Sequence, residues 1–188
     1  MCRFIKICFF ALLFVQFSCT NQTKVNDETP TRGNIKIGVD NSYKLLLDTE
    51  IFTFEAIYNY AEINPLYKPE MDVLNDFIND SVRIMITGRQ LTKEENDYLI
   101  SKDIYPKTTK IAYDAVAFII NSSNNDTMMN FNEVKDIFSG KISSWKDMST
   151  KGIDGKIQVV FDNEKSGNIG FLAKKTGITK YPSNFVAL

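Results

Sequence analysis

The sequence QVVFDNEKSGNIGFLAKK, residues 158–175, contains one complete passage from a strand to a helix. Gln158–Phe161 is mostly β-branched and apolar, which predicts a strand. A polar turn follows, and Ser166-Gly167-Asn168 opens a helix that we expect to run through Lys175 and to be terminated by Gly177. A strand followed by a polar turn and a helix is the repeating unit of α/β proteins.

The same alternation of strands and helices extends over the rest of the chain from residue 35 onward. The further predicted strands are Ile35–Val39, Val82–Ile86 and a long region, Thr109–Asn121. The further predicted helices are Tyr43–Ile63 (capped by Ser42, stopped by Pro65), Pro69–Ile78, one from a capping box at Thr92 to Ser101, and one from a capping box at Asn130 to Phe138, ended by Gly140. These patterns place the chain in the α/β class, and no internal repeat is present.

Polar residues follow three of the predicted strands where the next turn or helix begins. The segments are Asp40-Asn41-Ser42, Thr87-Gly88-Arg89 and Ser166-Gly167-Asn168. Backbone N–H groups at helix starts, the helix dipole and hydroxyl groups together bind an oxyanion without full countercharge. Ligands of open α/β sheets usually bind at the C-terminal edge of the strands. These nine residues are therefore the predicted ligand-binding set, and helix capping is the alternative explanation for them.

Four segments carry a resemblance to a known family. They are VRIMITGRQLT (82–92), AYDAVAFIIN (112–121), IFSGKISSW (137–145) and FDNEKSGN (161–168). In this order they resemble the phosphate-binding proteins of bacterial ABC importers, which have the type 2 periplasmic-binding-protein fold. The resemblance extends from about Gly33 to the last residue. It implies two α/β lobes with a ligand cleft between them, lobe one at residues 33–114 and lobe two at residues 115–188.

The resemblance also implies a function and partners. We expect a solute-binding lipoprotein that captures inorganic phosphate or a similar oxyanion for an ABC permease of the inner membrane. No catalysis, cofactor or metal is expected, and the protein should be a monomer. An oxyanion- or solute-sensing module of the same fold is the first alternative.

Individual residues of the family's site are matched only in part. Arg89 lies where the family has the Arg of its S-S-R-x-L turn, and either a structural carboxylate pair or a fork to phosphate is open to it. Asp114 is interpreted as a hinge or structural residue. Asp162 stands where family members often have an Arg, and Asn168 replaces the Thr of their S-G-T loop. The family's glycine- and serine-rich loop before the S-S-R strand is absent, since Asp72–Ser81 leads directly into Val82.

The sequence ends at Leu188, before the point where the family chain returns to complete lobe one. Lobe one is therefore expected to be incomplete. A truncated, non-functional product is the second alternative that this ending leaves open.

The N-terminus has the features of a targeting segment. Residues 1–19 combine Arg3 and Lys6 with an apolar run that ends at Ser18-Cys19, as in a bacterial signal peptide with a lipobox-like end. Cys19 is the predicted lipidation site, an ordinary cleaved signal peptide being the alternative. Residues 20–32 are polar and predict a flexible tether. The expected location is the periplasmic face of the bacterial cell envelope, through a lipid anchor or by secretion.

Composition excludes several classes of chemistry. The 188 residues include no His, and all three cysteines lie in the leader, so His-dependent triads, thiolate nucleophiles and Cys or His metal sites are excluded. The formal net charge is −1, with no basic stripe for nucleic acid. A carboxylate-pair hydrolase using Asp162 and Glu164 is the remaining enzymatic hypothesis, and a solvated surface turn is the simpler interpretation of that pair.

Overall fold

The computed structural model describes residues 28–124, 128–148 and 154–188. The predicted signal peptide, Cys19 and most of the predicted tether lie outside these residues. The strands are β1 Arg32–Asp40, β2 Tyr60–Lys68, β3 Ile84–Ile86, β4 Val159–Phe161 and β5 Phe185–Ala187. The α-helices are α1 Lys44–Ile57, α2 Glu70–Ile78, α3 Lys93–Ile100, α4 Phe131–Phe138 and α5 Gly167–Thr176. Short 3-10 helices lie at Asn41–Tyr43 and Trp145–Asp147.

The first sheet is parallel, with the strand order β2-β1-β3. Its central strand β1 buries Ile37 and Val39 against Leu47 of α1. Helix α2 crosses the same strand closely, because Gly38 has no side chain: a Cβ built there would lie 2.9 Å from Cγ1 of Val73. The packing places the start of α2 beside the C-terminal end of β1.

The second sheet consists of β4 and β5, which are also parallel. Helices α4 and α5 pack on it through a cluster that includes Ile137, Phe138, Ile169 and Leu172. The ring of Phe138 meets Phe185 of β5 edge-on, with ring centroids 5.0 Å apart. Two parallel sheets with packed helices confirm the predicted α/β class.

The helix ends agree with the sequence. Capping boxes are present at Thr92 and at Asn130, where side-chain and backbone groups satisfy each other across the first turn. Gly140 and Gly177 follow the ends of α4 and α5 with φ of +77° at each, a conformation that favours glycine. Among the described residues, none of the helices combines the length and apolar character that crossing a membrane requires.

The predicted helix Tyr43–Ile63 is wrong in its second half. Helix α1 ends at Ile57, and the chain continues as β2, which contains Pro65. Proline is compatible with this strand because β2 is at the edge of the sheet, where a missing N–H disrupts no second ladder. Glu55 of α1 accepts a hydrogen bond from the Ile63 N–H at 2.7 Å, which ties the strand to the helix.

The predicted strand within Thr109–Asn121 is also not formed. No described strand pairs with this region, and its apolar side chains are largely in solvent, with Tyr113 89% and Ile119 94% exposed. A β-rich sequence needs cross-strand partners to be held as a strand. Phe118 still contacts Phe138 of the second cluster, with ring centroids 6.3 Å apart.

Candidate ligand site between the two sheets

The three polar segments predicted to bind a ligand meet in the structure. Their meeting point is shown by two glycines that approach other segments closely. A Cβ built on Gly167 would lie 2.7 Å from Oδ2 of Asp40, and one built on Gly88 would lie 2.8 Å from the Tyr43 hydroxyl oxygen. Such distances are shorter than real Cβ contacts, so a side chain at either glycine would displace the group that faces it.

Asp40 ends β1 and is buried, with 3% of its surface exposed. Its Oδ1 accepts a hydrogen bond from the Ser42 N–H at 3.1 Å, and it thereby caps the 3-10 turn Asn41–Tyr43. The prediction that Ser42 caps the following helix is wrong, since α1 begins after Tyr43 without a side-chain cap. Asp40 takes that role because the chain makes a 3-10 turn before the α-helix.

Glu70 is a site residue that the sequence analysis missed. It is the first residue of α2, after Pro69, and is 6% exposed. Its Oε1 accepts a hydrogen bond from the Gly88 N–H at 2.9 Å. The same oxygen lies 3.3 Å from the Cβ position of Gly167. The available signal is an acidic residue directly after a proline at the start of a helix. It indicates a site at the end of a strand only if β2 is assigned as a strand, and the sequence predicts a helix over the first part of β2.

Arg89 has its guanidinium committed to a carboxylate of α3. Its Nη1 and Nη2 each lie 2.8 Å from an oxygen of Glu95 in a fork geometry. Nη1 also donates to the Gln90 carbonyl oxygen at 3.0 Å, while Nε is 3.9 Å from Oε2 of Glu70. Of the two roles left open by the sequence, the structural carboxylate pair is the one observed. The Thr87 hydroxyl donates to the Arg89 carbonyl oxygen at 2.9 Å and so fixes the same turn.

Ser166 begins α5 on the other side of the site. The residue is buried, with 4% exposed, and its Oγ accepts from the Asn168 N–H at 3.3 Å as an N-cap. Asn168 itself is exposed. Helix α5 therefore directs its N-terminal turn, with the partial positive charge of the helix dipole, at Asp40 and Glu70.

Negative charge accumulates around this point. Burial raises the pKa of the Asp40 carboxyl above its usual range, and the carboxylates of Asp162 and Asp114 raise it further. Burial also raises the pKa of Glu70, with a further contribution from Asp40. The pKa of Tyr43 is raised to about 12 by burial and by Asp114, Asp40 and Glu70. In the part of the chain that the structure describes, His, Cys, Asp and Glu residues form no group that could hold a metal ion.

A polar contact joins the two sides next to the site. The Lys165 ammonium lies 2.8 Å from Oδ1 of Asp72 in the first turn of α2. The Met71 N–H donates to the Lys165 carbonyl oxygen at 3.4 Å. These two contacts therefore join residues that are far apart in sequence, next to Gly167 and Glu70.

In the described residues, the polar strand ends of one parallel α/β unit and the helix start of the other lie next to each other. Among known families, the model of the PBP superfamily domain matches residues 24–183. The chain belongs to this superfamily, as the resemblance predicted.

Several proteins similar to this chain are named for phosphate binding or phosphate transport. The phosphate-binding protein PstS of Staphylococcus aureus is 33% identical over 96 residues, which are 50% of this chain and 29% of that protein. A candidate phosphate ABC transporter substrate-binding protein from Clostridium perfringens, solved with bound phosphate, superposes with a TM-score of 0.73 at 22% identity, over 82% of this chain and 61% of that one. An ABC-type phosphate transport receptor from Vibrio cholerae gives 0.64 at 20% identity, over 83% and 64%.

The two superpositions confirm the periplasmic-binding-protein-like fold. The chain spans less than two thirds of the length of either solved structure, and its match to the curated relative covers less than one third of that protein. The predicted lobe boundaries and ligand-binding residues remain predictions at this point.

Proposed function

We propose that this chain is a solute-binding protein that captures inorganic phosphate for an ABC importer and carries out no catalysis. The observation that carries the proposal is the convergence of Asp40, Gly88 and Gly167 at one point. Relatives named for phosphate binding support the choice of ligand. We further propose that lobe one is formed by residues 33–114 and lobe two by residues 115–188, with the ligand between them.

The proposed ligand contacts come from both sides of the site. The N-terminal turn of α5 supplies the Gly167 N–H, the Ser166 hydroxyl, the Asn168 side-chain amide and the positive end of a helix dipole. The backbone N–H groups of Ser166 and Asn168 are already donated to Asn163 and to Ser166 Oγ.

Gly88 supplies a further backbone N–H when the Glu70 carboxylate that accepts it has moved away. The Ser42 hydroxyl and the Asn41 amide can donate to the remaining oxygens. The Thr87 and Tyr43 hydroxyls can donate only by leaving the Arg89 carbonyl oxygen and Asp114.

Buried carboxylates favour a ligand that can donate hydrogen bonds as well as accept them. Hydrogen phosphate keeps at least one proton at neutral pH, and that proton can be donated to Asp40. Sulfate has no proton to offer, so the same carboxylate would repel it. The site is therefore proposed to select phosphate over sulfate.

The cellular setting is proposed from the leader and the relatives. Cys19 is the proposed lipid attachment site, residues 20–32 the tether, and an ABC permease at the periplasmic face the partner. A Cys19→Ser variant should leave the membrane fraction of cells, and its retention there would contradict the anchor.

A thermal unfolding series tests the ligand. Phosphate at about 100-fold its dissociation constant should stabilise the protein by roughly 2.7 kcal/mol, which is a clear rise in melting temperature. Sulfate at the same concentration and ionic strength should give a smaller shift. Equal shifts with both anions, or none with phosphate, would contradict the proposal.

A further inference from the structure

Glu70 occupies the position at which an oxyanion would be expected. Its carboxylate takes the Gly88 N–H at 2.9 Å, and its Oε1 lies 3.3 Å from the Cβ position of Gly167. Glu70 therefore lies between Gly88 and the start of α5. A phosphate oxygen placed between the same two segments would need the same space and the same donor.

We propose that Glu70 is an internal anion that competes with phosphate for this site and thereby sets its affinity. The inference rests on the proposed function, because it names a determinant of that same site. Phosphate binds when the Glu70 carboxylate is displaced from Gly88 or has accepted a proton. An empty site holds its own carboxylate in place of the ligand.

The surroundings of Glu70 make its carboxylate displaceable. Among the described residues, the titratable or charged groups that face it are Asp40 at the end of β1, Tyr43 in the 3-10 turn and Arg89 after β3. Arg89 is the cation among them, and its fork is already bound to Glu95, leaving a 3.9 Å approach of Nε to Glu70. Burial raises the pKa of Glu70 and the Asp40 carboxylate adds to the rise, while hydrogen bonds from the Gly88 and Arg89 backbone and the charge of Arg89 oppose it. A carboxylate held in this way lacks the close countercharge that would fix it.

The competing interpretation is that Glu70 only anchors the Gly88 turn. In that case its removal would loosen the site and weaken every ligand. Competition predicts the opposite, since a neutral side chain at position 70 accepts the Gly88 N–H less strongly and repels an anion less, which should strengthen anion binding. The sign of the affinity change therefore separates the two roles.

The experiment is calorimetric titration of phosphate into the full chain, into Glu70→Gln and into the control Glu94→Gln. Glu94 is an exposed acid in the first turn of α3, a matched position outside the site. At pH 7.5 we expect Glu70→Gln to bind phosphate about tenfold more tightly than the parent, and Glu94→Gln to be unchanged. The parent-to-variant ratio should move towards one on acidification, as Glu70 gains its proton. Tyr43 and Arg89 keep their charge states over this range in all three proteins. Asp40 is coupled to Glu70, so the trend on acidification belongs to the pair, and the sign of the affinity change at pH 7.5 is the deciding result.

Each outcome decides the inference. Equal or weaker binding by Glu70→Gln, with normal binding by the parent, overturns the internal competitor and leaves the proposed function standing. Absence of phosphate binding by all three proteins overturns the proposed function and this inference with it. Glu70→Ser, which keeps a residue suited to a helix start, replaces Glu70→Gln if the latter does not fold. It is expected to bind more tightly in the same way.

Discussion

The two sides of the site differ in the charge that they contribute. The first side consists of the end of β1 and the start of α2, which carry the buried carboxylates of Asp40 and Glu70. The second side contributes the start of α5, where Ser166 and Gly167 are neutral and the helix dipole is positive. An anion without protons would suit only the second side, and a cation only the first. Their apposition therefore favours a ligand that accepts hydrogen bonds on one face and donates on the other.

The largest expected effect comes from closing the gap between the sides. Gly167→Ala adds a Cβ that would lie 2.7 Å from Oδ2 of Asp40. Because Asp40 is buried and caps the 3-10 turn, either its carboxylate or the α5 start must shift, and overpacking of this kind costs about 1–3 kcal/mol. Phosphate affinity measured by calorimetry should fall by roughly 10- to 100-fold.

Gly170→Ala is the matched control for this change. Gly170 lies in the same helix, and a Cβ built there meets nothing within 4 Å. Its affinity should equal that of the parent. Equal losses in both variants would show that helix α5 as a whole, and not its contact with Asp40, determines binding.

The second prediction separates a structural role of Arg89 from a role in phosphate binding. Arg89→Lys replaces the two-pronged pair with Glu95 by a single contact, and hydrogen bonds to charged groups contribute about 1.5–3 kcal/mol. Because Arg89 is partly exposed, we expect the free energy of unfolding, measured by chemical denaturation, to fall by about 1 kcal/mol. Phosphate affinity should change less than in Gly167→Ala. Arg83→Lys, at an exposed position, is the control. An Arg89→Lys variant that keeps the free energy of unfolding of the parent but loses phosphate affinity would refute the structural role.

The smallest effect is a pH dependence on the carboxylate side. The pKa of Asp40 is raised above 3.8, so the native state binds a proton more readily than the unfolded chain. This contribution to the free energy of unfolding is present at low pH and is lost as pH rises through the native pKa. Asp40→Asn should remove it, with a slope of at most about 1.4 kcal/mol per pH unit.

Unfolding curves of the parent and of Asp40→Asn across acid to neutral pH provide the measurement. The stability of the variant relative to the parent should be greatest near neutral pH and should shrink on acidification. Glu95, whose pKa is lowered by Arg89, has the opposite slope in both proteins and cancels from the difference. A difference that grows on acidification would contradict the raised pKa.

Local chemistry in the sequence predicted much of the fold. Capping boxes at Thr92 and Asn130 and the glycine at 177 act within one helical turn, so their sequence pattern is sufficient. Strand β2 was missed because Pro65 is acceptable only at an edge, a property of the assembled sheet. The region Thr109–Asn121 has strand composition, yet a strand requires a neighbour that the sequence of that region does not contain.

The candidate site was predictable in part for the same reason. Residues after β1, β3 and β4 were identifiable, since parallel strands present their C-terminal ends at one edge. The contact of Glu70 with Gly88 joins residues 18 positions apart through two strands, so it depends on correct strand assignment. Asp40 was assigned to the site, but its capping of Ser42 depends on a 3-10 turn that the sequence does not distinguish from a helix.

Calorimetric titration of the full chain with phosphate and then with sulfate, at neutral pH and constant ionic strength, measures whether the site selects an oxyanion that carries a proton. We predict one phosphate bound per chain and a sulfate affinity at least about tenfold lower, because the buried carboxylates need a ligand that carries a proton. Equal affinity for the two anions, or no heat of binding with phosphate, would contradict this prediction.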